Sequence, residues 1–345
     1  MKTTRMNRMN RVLARGLGAT LTLMAAVTAA QASDVKIYGI LDVGLRHAPN
    51  LSVSEDAITK VDDGMRSRIG FRGTEDLAPG LKAFFRLEHS LRMDTGAQRE
   101  SVFWDDKAWV GLDSQQFGQI MLGRLRSPVD EYTNGTRFEA FMGHTLGASG
   151  GRGASSTDAW NNGAYYISPA WKGWMVGAGF SAGEGAVKSS SGAHVEYTQG
   201  PLDVAVAWQR DGESLSDSKS TVSLASTYKL PMALLLATYA RSTDVGATNS
   251  GERSSWSLGA RIPAGPGEVR VSWRDTQDDN LNAANDRSKD VDIRHLGLGY
   301  HHPLSKRTSV NATVSHDQRK TYSASGALLT DRSGPGFEVG LRVAF

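Results

Sequence analysis

Apolar and polar residues alternate along most of this chain with a period of two, the spacing of a strand whose faces meet different environments. In "GFEVGLRVAF" at the carboxyl end, Phe337, Val339, Leu341, Val343 and Phe345 share one face, and Glu338, Gly340, Arg342 and Ala344 share the other. In "DVKIYGILDVGLR", Val35, Ile37, Leu41, Val43 and Leu45 fall on one side with Gly39. Asp34, Lys36, Tyr38, Ile40, Asp42, Gly44 and Arg46 fall on the opposite side. Ionised groups therefore collect on one face. The pattern predicts sixteen strands, beginning with 35–46, 65–74, 80–92, 101–112 and 117–126 and ending with 335–345.

Connections alternate in length. "EDLAPG", "QGP", "KLP" and "PAGPG" place Pro and Gly where tight turns need them, whereas "HAPNLSVSEDAITKVDDG" and "DTQDDNLNAANDRSKD" are long and polar. Short hairpins require antiparallel neighbours, and an open sheet of this width would leave two unpaired edges. Closure into an up-and-down barrel removes them. Strands of about ten residues, even in number, with tight turns on one rim and long loops on the other, describe a transmembrane β-barrel with a water-filled lumen.

A soluble, secreted β-sandwich binding protein would show the same alternation. The membrane barrel is favoured by the terminal Phe345, the even strand count, and aromatics near strand ends: Trp104, Trp109, Trp171, Trp174, Tyr228, Tyr239 and Tyr300. The amino terminus points the same way. Lys2, Arg5, Arg8, Arg11 and Arg15 precede an apolar run from about Leu17 to Ala30, and Ala30-Gln31-Ala32 fits a cleavage site. Residues 1–32 are thus expected to be a cleaved signal peptide and 33–345 one barrel domain.

Removing that leader corrects the charge. The full chain has 39 basic and 36 acidic residues; without the leader's five basic residues, 34 face 36, a formal charge of −2. The basic pI of the whole chain is no argument for nucleic acid. Cysteine is absent, although the leader addresses an oxidising compartment. Beyond the leader the longest apolar run is "MALLLATYA" at 232–240, about half of the ~20 residues a spanning helix needs, which excludes a helical membrane protein.

"SRIGFRGTEDLAPGLKAFFRLE" (67–88), "AWVGLDSQQFGQIMLGRLRSPVDEY" (108–132), the opening "IYGILDVGL" and the final "GLRVAF", in this order, resemble the general trimeric porins of Gram-negative outer membranes, the betaproteobacterial branch above all. The resemblance implies an all-β fold: a 16-stranded antiparallel transmembrane β-barrel with an inward-folded third loop. It also implies a homotrimer in outer-membrane lipid and passive diffusion of ions and small hydrophilic solutes. The third loop corresponds to 127–161, long enough to be functional and carrying an apolar "FEAFMG" that is expected to pack.

In "MRSRIGFRG", if Ile69 and Phe71 face lipid, Arg66, Arg68 and Arg72 face the lumen. A cation on the lipid face at mid-depth would cost roughly 2–4 kcal/mol. The next strand turns Lys82, Phe84, Arg86 and Glu88 inward, and Lys36 and Arg46 lie on neighbouring staves. Across from this basic wall the resemblance places a loop bearing Asp130, Glu131, Glu139 and Asp158 beside Arg137, setting a transverse field in which sign selects ions. Arg68 matches the family's "SR-L/I-G" motif and is the expected constriction residue. Arginine suits the role because it stays charged and its fork binds carboxylate or phosphate. Where relatives often carry an arginine before "KAWVGL", this chain reads Trp104-Asp105-Asp106-Lys107, which weakens the expected anion preference. Arg124 and Arg126 share a face with Ile120 and Leu122 and are expected to point outward, toward a subunit contact.

Enzymatic constellations are thin. The eight histidines include no i, i+4 pair with a catalytic Glu, "GASGGRGAS" lacks the P-loop lysine, and the acidic 275–290 segment lacks EF-hand spacing. No cofactor or metal is expected. Besides the general porin, a solute-specific outer-membrane channel stands as an alternative, and a barrel enzyme as a weaker one.

Overall fold

The computed structural model describes residues 34–345 except 135, 144, 149–155, 186, 216–217, 246–250 and 280–289. The expected leader lies outside the described residues, as do most of "GASGGRGAS" and of the acidic 275–290 segment. The strands are β1 (Asp34–Pro49), β2 (Ala57–Asp63), β3 (Ser67–Ala78), β4 (Leu81–Leu91), β5 (Lys107–Ser114), β6 (Gly118–Arg126), β7 (Ala159–Ile167), β8 (Trp174–Ser181) and β9 (Ser190–Gln199). They continue as β10 (Leu202–Gly212), β11 (Ser218–Lys229), β12 (Leu234–Val245), β13 (Gly251–Ala264), β14 (Gly267–Asp279), β15 (Val291–Pro303), β16 (Thr308–Tyr322) and β17 (Leu328–Ala344).

From β3 onward each strand pairs antiparallel with the next, and β1 closes the ring by pairing with β17 (Leu41 opposite Val343) and β3 (Ile37 opposite Phe71). The extra strand, β2, falls inside the segment expected to be a polar loop. It pairs with the outer half of β1 as β3 pairs with the inner half. β2 and β3 therefore form one stave with a break between them, and the barrel has sixteen staves. From Val43 to Ile40, β1 advances three residues while its partners run from Asp63 to Arg68, so two extra residues are accommodated at the break.

The distribution of side chains is inside out. Leu258, Leu298 and Val339 are among many large apolar groups left exposed on the outer face, while Ser242, Thr221, Gln209 and Asp211 are fully buried on the inner face. Water on the outside would penalise a band of this size, whereas lipid accepts it. That asymmetry excludes the soluble sandwich.

Wall height is uneven. β1 and β17 have 16 and 17 residues, β5 and β8 only 8 each. β5 starts at Lys107 rather than 101 because 101–106 leave the sheet: Phe103 stacks on His89, Trp104 meets Phe71 edge-on, and the Asp105 carboxylate accepts the Ser90 amide. One expected interfacial aromatic is misplaced. Trp109 sits opposite Arg86 on the inner face, because Val110 and Leu112 take the lipid side.

Candidate pore

After β6, Pro128 at the first position of a five-residue helix α1 (Pro128–Tyr132) fixes the turn of the chain, and Asp130 and Glu131 fall in its first turn. Val129 is fully buried against Ala207 and Ala240, and its amide donates to Gln209 Oε1 at 2.9 Å. Phe138 packs on Ala205 and Ala225, and Ala140 and Phe141 pack on Leu236. The Ala140 carbonyl accepts from Arg261 Nε at 2.9 Å, the Phe141 carbonyl from Arg270, and the Gly147 carbonyl from Ser272. Farther on, the Thr145 amide donates to the Gly64 carbonyl and the Leu146 amide to Glu338. Every wall side chain in these contacts lies on the polar, inner face of its strand. Tyr132 adds a ring stack on His194, whose Nδ1 lies 2.7 Å from the Tyr165 hydroxyl.

The basic side chains fall into four groups. Arg66, at the break between β2 and β3, faces Glu100, Asp105 and Asp106 at 3.6–3.7 Å. Arg68 is 3.5 Å from Glu88, which also holds Arg86 at 2.9 Å. Arg72 lies over the Tyr38 ring. Nearer the tight turns, Lys82 pairs with Asp76 and Lys36 with Asp34, each half-exposed. Arg46 binds Glu338 and Asp62 instead, toward the opposite rim.

The acidic side differs from expectation. Asp130 pairs with Arg126, and Glu131 accepts two hydrogen bonds of 3.0 Å from Lys107. Glu139 caps the Gly143 amide, and Arg137 is held by Glu196 and Asp203. Asp130 and Glu131 are thus tied to cations on their own side of the barrel rather than opposed to a basic wall across water. Arg126 also departs from its assigned outward face. It is the last residue of β6, and its guanidinium reaches over the rim to Asp106 and Asp130. Arg124 donates to the Asp105 carbonyl and to Asn161. Burial opposes ionisation of both Asp106 and Glu131. Arg126 beside the first and Lys107 on the second outweigh it and hold both carboxyls below the usual range.

Arg66, Arg68 and Arg126 meet Arg274 from the far wall around one cavity of about 290 Å³, with Asp130 and Glu139 as its acids. Arg274 was legible in "EVRVSWRD": Val269, Val271 and Trp273 face out, so Arg270, Ser272 and Arg274 face in. Arg126 had no such signal, since parity puts it outside.

A family model described as Gram-negative porin matches residues 18–322. The chain is 28% identical to outer membrane porin protein 32 of Delftia acidovorans, over 94% of this chain and 98% of that one. An outer membrane porin protein of Bordetella pertussis is 26% identical over 94% and 99%. Among solved structures, an anion-selective porin from Comamonas acidovorans superposes with a TM-score of 0.75 at 25% identity, covering 91% of this chain and all of that one. The trimer form of OmpT from Vibrio cholerae shares the fold, with a TM-score of 0.68 at 17% identity over 91% and 100%.

Proposed function

The chain belongs to the Gram-negative porin family, and from that premise we propose that its barrel conducts small anions in preference to cations, past a constriction formed where segment 127–148 folds into the lumen. It is an outer-membrane channel rather than an enzyme, as its relatives are. The observation that carries the anion preference is the cavity bounded by four arginines and two carboxylates. Such an excess of positive charge around a narrow aqueous passage raises the local concentration of anions and lowers that of cations. Arg68, Arg66 and Arg126 supply this field from one side. Arg72, Arg86, Lys82 and Lys36 extend it toward the tight-turn rim, and Arg46 extends it toward the loop rim. Asp105 and Asp106 beside Arg66 temper it, so the preference is moderate. Asp130, Glu131 and Glu139 act chiefly by anchoring the segment.

The working unit is a homotrimer, as in the trimer form of the Vibrio relative, and the mature chain begins at Ser33 after removal of the leader. Reconstitution in planar bilayers under a salt gradient tests the reading. Stepwise conductance with a reversal potential of anionic sign is expected. A cationic sign removes the arginine constriction, and the absence of steps removes the channel.

A further inference from the structure

Three rings line an inner wall that a purely aqueous channel has no need to make aromatic. Tyr38 on β1 and Phe84 on β4 lie flat against the strands beside them, because glycine stands beneath each. A Cβ at Gly70 would come within 2.6 Å of the Tyr38 ring, and one at Gly111 within 2.8 Å of the Phe84 ring. Trp109 then meets Phe84 edge-on with centroids 5.1 Å apart. Flat rings present their faces, the surface on which planar π systems and cations stack.

Beside this shelf the charges are unequal. Arg86 is committed, donating to the Tyr38 hydroxyl at 2.7 Å and to Glu88 at 2.9 Å. Arg72 is exposed, its guanidinium 5.1 Å from the Tyr38 ring centroid, and among the described residues it has no ion-pair partner. It stands directly opposite Arg86, two positions along β4 from Phe84. A cation with spare donors thus lies next to apolar ring faces, inside a barrel that carries anions.

We propose that this shelf is a subsite for aromatic monocarboxylates, Arg72 taking the carboxylate while the ring stacks on Phe84 and meets Trp109 edge to face. The proposal deepens the channel reading and rests on it. Benzoate and cyclohexanecarboxylate, equal in charge and similar in size, serve as probes. Under bi-ionic conditions their permeability ratio is measured on single channels whose chloride conductance is recorded first. The wild-type ratio is expected to favour benzoate by about threefold. Phe84→Leu and Trp109→Leu each bring it toward unity, whereas Arg72→Gln slows both acids and keeps the ratio. A channel that conducts chloride but shows a ratio of one overturns the shelf and spares the porin reading. A ratio that persists in both ring variants overturns the shelf equally. Absence of chloride conductance in the wild type overturns both.

Discussion

Arg126 carries two carboxylates, Asp106 and Asp130, whereas Arg68 pairs with one, Glu88, and Glu88 keeps Arg86 when Arg68 is lost. Each loss removes one positive charge, but Asp106 is less well compensated once Arg126 is gone, its remaining contact to Arg66 being 3.7 Å, than Glu88 is by Arg86 at 2.9 Å. Arg126→Gln is therefore expected to move the reversal potential toward cations further than Arg68→Ala does. It also weakens the α1 anchorage by on the order of 2 kcal/mol, less than a fully buried pair because the site is partly wet. Equal shifts for the two variants would show that Asp106 and Asp130 stay compensated without Arg126, and the absence of a shift for Arg126→Gln would place it off the ion path. The same acids set a pH dependence. A carboxyl held below its ordinary value stabilises the folded form above that value, and the contribution is lost as pH falls through the lowered one. For Asp106 and Glu131 this places the change below the usual carboxylate range. Anion preference should rise as the tempering charge of Asp106 disappears, which happens only as the pH approaches the value of about 2 to which its carboxyl is lowered. A reversal potential that does not change between about pH 4 and about pH 2 would contradict this.

Among elements, the strands were legible, and so was the packing of the loop's "FEAFMG" through Phe138, Ala140 and Phe141, but not the surface it packs on. Strand faces could be read because lipid and water differ so sharply that one substitution of polarity per position suffices to sort them, as "EVRVSWRD" shows. Strand β2 escaped because its polar residues are satisfied across staves, Asp62 with Arg46 of β1 for instance, with no apolar period to announce a strand. Ala205, Ala207, Ala225 and Ala240 were visible as small apolar residues on a face that should be polar. What covers them, Val129 and Phe138, comes from more than 65 residues away in sequence and needs the closed barrel to arrive. The loop's hold is expected to be separable from the wall's. Phe141→Ala removes a ring buried against Leu236, a loss of about 3 kcal/mol, but no strand pairing runs through it. The barrel should keep its unfolding temperature while conductance rises and selectivity falls. Unchanged conductance would mean that the Arg261, Arg270 and Ser272 hydrogen bonds hold the segment without the ring.

At the scale of the whole molecule, which side of the wall a residue faces decides whether a charge is costly or harmless, and this turns the alternation first seen in the sequence into a free-energy difference. Leu298 lies on the outer face, between Val271 and Val314, with apolar neighbours on both adjacent strands. Thr74 lies on the inner face of β3, exposed, opposite Asp34 and Phe84. The same change at both sites separates the two solvents. Leu298→Arg is expected to lower the stability of the folded barrel in lipid by roughly 2–4 kcal/mol, whereas Thr74→Arg, in water, shifts it by less than about 0.5 kcal/mol. Urea unfolding of the two variants in bilayers of one composition measures the difference. Thr74→Arg should instead appear in the channel record, as a further shift toward anions. Equal destabilisation by both would mean that the lumen is not aqueous at that depth, and the reading of this chain as a water-filled channel would fail with it.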